Sequence, residues 1–186
     1  MKSEKIKIVF ALIVIIWVIY FIDQILPFHL NSHGILPRTT RGLIGIIASP
    51  FLHASLFHLI GNTLPLLVLG ILLVSFYDKI AFKVIAVIVL VGGSMVWVLG
   101  RSANHIGASG LIYGIAAFLI AFGIMTKKIL PILLAVGVVF LYGGSMITGI
   151  LPFNSVISWE GHLFSAIAGV LAAYLFSKQP YSTTKR

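Results

Sequence analysis

A few residues in this chain have the types and spacings of a hydrolytic site. Ser109 sits in the stretch Gly107-Ala-Ser-Gly110, with Tyr113 four residues on. His58 and Asn62 are four apart, which on a helix is one face, and His162 follows much later. A serine becomes a nucleophile when a base takes its proton, and histidine is the usual base. Ser109 opens a predicted helix, so its own N–H and that of Gly110 lack intrahelical acceptors. Helped by the helix dipole, they can face a developing oxyanion. Asn62 offers an amide donor to the same charge, and His58 a second. Gly107 and Gly110 are expected to keep side chains out of the path of an approaching substrate backbone. The acids are only Glu4, Asp23, Asp78 and Glu160. Glu160 precedes His162 by two and points to nearly the opposite helix face, and Asp23 has no evident route to the histidine. The expectation is a serine–histidine dyad, with Tyr113 stacking on the imidazole in place of an orienting carboxylate.

Taken singly, each residue has a plainer reading. A serine in a membrane helix usually bonds a carbonyl of its own helix or a neighbour. Asn62 alone reads as interhelical glue. His58, His105 and His162 near helix ends read as interfacial, and Tyr113 as a core or belt aromatic. The spacing of Gly161, Ser165 and Gly169 suits close helix packing. What favours a site is that these residues fall at one depth, and that depth follows from the elements that carry them.

The 186 residues are 60% hydrophobic and 9% charged, with mean hydropathy +1.13. Soluble domains carry about a quarter charged residues, so the composition is that of an integral membrane protein. With no cysteine, disulfides and thiolate chemistry are excluded. Six stretches are long and apolar enough to span a bilayer: about 6–26, 57–76, 80–99, 109–126, 129–147 and 159–176. They predict an all-α, six-span bundle in a single domain over 1–186. The first stretch is too long for a signal-peptide core and lacks a small-residue cleavage site, so it reads as a retained span.

Lys2, Lys5, Lys7, Lys79, Lys83, Lys127, Lys128, Lys178, Lys185 and Arg186 fall on one side, and Arg38, Arg41 and Arg101 on the other. The positive-inside rule then puts both termini in the cytoplasm. Spans two, four and six therefore start at the outer face, and their first turns carry His58, Asn62, Ser109, Tyr113 and His162. The net charge of +9 follows from topology and anionic lipid, and no nucleic-acid partner is needed. The first outer connection, about Pro27 to Leu56, is long and rich in apolar residues, and is expected to lie on or partly in the membrane.

Three motifs resemble the rhomboid family of intramembrane serine proteases: "HASLFHLIGN" (His53 to Asn62), "GASGLIYG" (Gly107 to Gly114) and "GHLFSAIAG" (Gly161 to Gly169). Together, in this order, they cover a minimal six-span core. The resemblance implies Ser109 as nucleophile and His162 as general base and acid. It implies His58, Asn62 and the Ser109 backbone as the oxyanion site, and Tyr113 stacked on His162. It implies no metal or other cofactor. The implied substrates are single-span membrane proteins cut near the outer face, in a cell membrane of prokaryotic type. The chain departs from the family pattern twice. Ser165 stands where glycine is common, which predicts slightly looser packing, and the first loop lacks the family's Trp-Arg pair, which puts its anchoring in question.

Other functions compete. His53, His58, His105 and His162 could serve a metal-dependent membrane hydrolase or metal transporter, but there is no His-Glu-x-x-His and few acids. An inactive relative that binds membrane segments would have lost the serine or the histidine. A small transporter would need paired intramembrane charges. Substrate identity and oligomeric state are not readable from the sequence.

Overall fold

A computed structural model describes residues 2–153 and 157–181. Among these, the secondary structure is helical, with a single isolated backbone bridge between Ile35 and His105. Helix α1 spans Lys2–Ile25, and the short α2, Gly42–Ala48, lies in the first connection. Helix α3 is Leu56–Phe76. The third span consists of α4 (Ala81–Val87), one turn of π-helix (Ile88–Gly92) and α5 (Gly93–Leu99). Then come α6 (Ser109–Thr126), α7 (Ile129–Gly149) and α8 (Trp159–Phe176). Six helical segments are long and apolar enough to cross a membrane, and the protein is a multi-pass membrane protein.

The expected boundaries of the fourth and sixth spans coincide with α6 and α8, and the others shift by a few residues. Local chemistry sets the starts that matter. Ser55 caps α3, its side chain accepting from the His58 N–H. Ser158 caps α8 in the same way, accepting from Gly161. Each oxygen satisfies a backbone donor that the first helical turn leaves open.

Helix α6 is the centre of the bundle. In its most apolar window 56% of residues are buried by protein, against 11% for α1 and 17% for α7. It packs most extensively on α8, while α7 lies along α6 and reaches α8 only at the margin. The helix that begins with Ser109 is thus the one most screened from lipid, where a polar group would be costly. Small residues permit this packing: a Cβ on Gly169 would overlap the Gly114 carbonyl of α6. Ser165 does not loosen the contact. Glycines face it, since a Cβ on Gly92 would stand 2.9 Å from Ser165 Cα and one on Gly110 would stand 3.0 Å from its hydroxyl.

The first connection is anchored without an adjacent Trp-Arg pair. The Arg38 guanidinium donates to the carbonyls of Val98 and Gly100 and to Ser102, while the Trp97 indole donates to the Thr39 carbonyl. A tryptophan and an arginine still hold the loop, but the tryptophan comes from the third span. Asp23 accepts from the Leu30 and Asn31 N–H groups and fastens the loop's start. Leu43, Ile44 and Ile47 of α2 remain exposed, as expected of a segment resting in lipid.

At the opposite end of the bundle, Lys5 bonds the Asp78 carbonyl, and Tyr181 packs on Tyr77 and Phe122 with Lys128 over its ring. Lys185 and Arg186, part of the charge argument, lie outside the described residues.

Candidate active site

Three helix starts, of α3, α6 and α8, and the end of α7 converge around Ser109. Its Oγ lies 2.8 Å from His162 Nε2. His162 Nδ1 lies 2.9 Å from the Gly149 carbonyl, at the end of α7. A carbonyl only accepts, so Nδ1 carries the proton and Nε2 is left to accept from the serine hydroxyl. The ring therefore has the tautomer a general base needs, and a backbone carbonyl holds it there. The Tyr113 ring stacks on the imidazole with centroids 4.0 Å apart and planes 8° from parallel. Its hydroxyl donates to the Ser145 carbonyl, also on α7, at 2.7 Å. A Cβ on Gly149 would overlap that hydroxyl, so glycine is needed there for close approach.

Ala108 is the N-cap of α6, and the first intrahelical bond runs from the Ile112 N–H to its carbonyl. The Ser109 and Gly110 N–H groups precede that bond and are open to a ligand. His58 and Asn62 lie against Gly107, two residues before the nucleophile. Gly107 sits at φ +118°, in the left-handed region that glycine alone tolerates well. A Cβ there would stand 2.6 Å from the His58 ring. The expectation that Gly107 and Gly110 clear a path for substrate is thus corrected. The space at Gly107 is taken by His58, and that at Gly110 by the Ser165 hydroxyl. The glycines bring protein parts together.

His53, whose sequence context suggests only a metal ligand, also belongs to this site. It is 1% exposed. Its Nε2 lies 3.0 Å from Asn62 Nδ2 and 3.4 Å from the Ala108 N–H. Its ring meets the His58 ring edge-on at 5.0 Å. Burial drives its pKa down to about 4, with His58 pushing the same way and the Phe51 carbonyl pulling back. Its place two residues before Ser55 and the α3 cap gave no sequence signal separate from His58.

Glu160 is buried away from the dyad, in an ion pair with Arg101 at 3.4 Å. Next to it, His105 Nδ1 lies 2.6 Å from Ser158 Oγ. A cavity of about 40 Å³ lies between the loop and α8, lined in part by Ser49, His105, Ser109, Ser158 and Ser165. That is room for water, which needs about 10–15 Å³ per molecule.

A central serine-bearing helix, paired to a histidine on the last of six spans, defines a helical membrane protein. The profile of the Rhomboid domain matches residues 40–179. The chain belongs to the rhomboid family, an intramembrane protease family. It is similar to an uncharacterized protein of Mycobacterium tuberculosis, 39% identical over 178 residues, covering 91% of this chain and 74% of the relative. An uncharacterized Mycobacterium bovis protein matches to the same extent. A third, from Mycobacterium leprae, is 39% identical over 172 residues, covering 88% of this chain and 68% of the relative.

Proposed function

We propose that the protein is an active intramembrane serine protease, with Ser109 as nucleophile and His162 as general base and then acid. The observation that carries this reading is the 2.8 Å contact between Ser109 Oγ and a His162 Nε2 left as acceptor by the Gly149 carbonyl. Ser109 Oγ attacks the scissile carbonyl while its proton passes to Nε2. The negative charge that forms on the carbonyl oxygen is met by the Ser109 N–H, the Asn62 amide and His58. His162 returns the proton to the leaving amine, giving an acyl-enzyme. Water then attacks the ester, His162 takes its proton, and the serine is regenerated.

The substrates are transmembrane segments of single-span proteins, cut near the outer face, with both termini of the protease in the cytoplasm. The lysines on the described inner ends and the arginines beside the site support that orientation. Because the nucleophile must reach a backbone hydrogen-bonded within a helix, segments weakened by Gly or Pro suit it best. Among the described residues, no three His, Asp or Glu side chains are grouped as metal ligands. An inactive binding role is disfavoured by the presence of both dyad members in bonding register.

A fluorophosphonate probe on the detergent-solubilised protein tests the reading. Labelling is expected in wild type, insensitive to chelators, and absent in Ser109→Ala. Labelling of the alanine variant to the wild-type extent would remove Ser109 as nucleophile.

A further inference from the structure

Asn62 can help an oxyanion only through its amide hydrogens. With the amide turned over, Oδ1 would face the charge and repel it. An isolated asparagine has no strong preference between the two orientations, so something must choose. Two contacts to His53 do so. Its Nε2 faces the Ala108 N–H at 3.4 Å. A backbone N–H only donates, so Nε2 is the accepting nitrogen and the ring proton sits on Nδ1. The Asn62 group 3.0 Å from Nε2 must then be Nδ2, because an oxygen there would leave two acceptors opposed. One amide hydrogen goes to His53. The other is left on the side of the Gly107 turn, where a Cβ would stand 3.6 Å from Nδ2.

We propose that His53 is a positioning residue for the oxyanion site: it sets the Asn62 amide donor-first toward Ser109. It also ties that amide to the backbone immediately before the nucleophile. The proposal rests on the serine-protease reading and deepens it. The ring is neutral, and no acceptor lies in hydrogen-bonding geometry to its Nδ1 among the described residues. It is buried, its own carbonyl accepts from the Asn31 side chain at 3.0 Å, and its neighbouring titratable group is the His58 ring. Burial holds its pKa near 4, so the acceptor persists through neutral pH. A protonated ring would turn an Nε2–H against the amide and release it.

The test is a double-mutant cycle on the full chain in detergent, with turnover of a model transmembrane substrate as readout. Asn62→Ala is expected to lower kcat by about 10²–10³-fold, the usual effect of one oxyanion donor. His53→Leu should lower kcat by on the order of tenfold to a hundredfold, with KM little changed, because the oxyanion exists only in the transition state. In the Asn62→Ala background, His53→Leu should change kcat by less than about threefold. His53→Gln, whose carbonyl can accept from both donors, should recover most of the loss. Nitrogen NMR of labelled histidine should show His53 as the neutral Nδ1–H tautomer, with the Nε2 signal shifting in Asn62→Ala. Equal losses from His53→Leu with and without Asn62 would overturn the proposal. So would an Nε2–H tautomer, or a drop in melting temperature at unchanged kcat. Failure of the underlying reading looks different: wild type would neither cleave substrate nor take the fluorophosphonate probe.

Discussion

Two serine–histidine pairs lie side by side in this molecule, crossed between the same two helix starts. Ser109 on α6 meets His162 on α8 at 2.8 Å, and His105 before α6 meets Ser158 at the cap of α8 at 2.6 Å. In both, a backbone carbonyl takes the other ring proton: Gly149 for His162 and Arg101 for His105. In both, therefore, the histidine accepts from the serine hydroxyl. The second pair is the shorter of the two, yet nothing around it suits chemistry. Ser158 Oγ already accepts the Gly161 N–H as a helix cap, and His105 is 4% exposed. The backbone of His105 is held on both sides by Ile35. Ser109 Oγ has no second partner among the described residues, and His58 and Asn62 stand against Gly107, two residues before it. A serine–histidine bond is by itself a fastener. It becomes reactive where the oxygen has a free lone pair and donors wait for the charge it will create.

That contrast can be broken most sharply by exchanging the targets. Ser109→Ala should reduce kcat on a transmembrane substrate by on the order of 10⁴-fold or more, since the residual rate comes only from the remaining donors and binding. Ser158→Ala, measured in the same assay, should stay within about tenfold of wild type. Comparable losses from both would mean that the second pair also acts in turnover.

Acid should act on the neutral histidines. Burial lowers the pKa of His105 and takes that of His53 from 6.5 to about 4. Below pH 6.5 the unfolded chain binds more protons at both positions than the folded one, so the stability they lend at neutral pH falls with the pH, for His53 down to about 4. The melting temperature in detergent should be flat above pH 6.5 and decline below it, less steeply in His105→Gln. A melting temperature independent of pH from 7 to 4.5 would contradict the neutral assignment of both rings. The smallest effect is the thermal cost of Ser158→Ala. Loss of a helix N-cap is worth about 1 kcal/mol, and a shift in melting temperature of that size, at retained kcat, would confirm the fastener role.

Much of this was legible in the sequence for a simple reason. Ser109, Tyr113, His58, Asn62 and His162 carry their chemistry in side chains, and hydropathy with charge asymmetry brings their helix starts to one level. The dyad and the stacked tyrosine follow, as do the limits of α6 and α8. What escaped was carried by the backbone or by distant partners. The carbonyls of Gly149 and Ser145 have no residue signature, because any residue could supply them. Gly107 was legible as special, but not that His58 would fill its space. His53 looked like a spare ligand because its acceptor role depends on the Ala108 N–H, which only the folded loop brings to it. The loop anchor was hidden because Arg38 and Trp97 are far apart in the chain.

The π turn at Ile88–Gly92 sets the phase between two surfaces of one helix. Below it, α4 follows an unbroken α-helical register. Above it, Gly93 faces Ile46, and Trp97 reaches the Thr39 carbonyl. An α-helix advances about 100° per residue, and a π turn holds one residue more than its α counterpart. Winding the same residues as α-helix would carry one residue past the full turn and rotate α5 by about that angle relative to α4. Gly92 would leave Ser165, and Trp97 would swing away from the loop it holds. The wider winding of this turn, more than any side chain in it, keeps the first loop aligned with the serine.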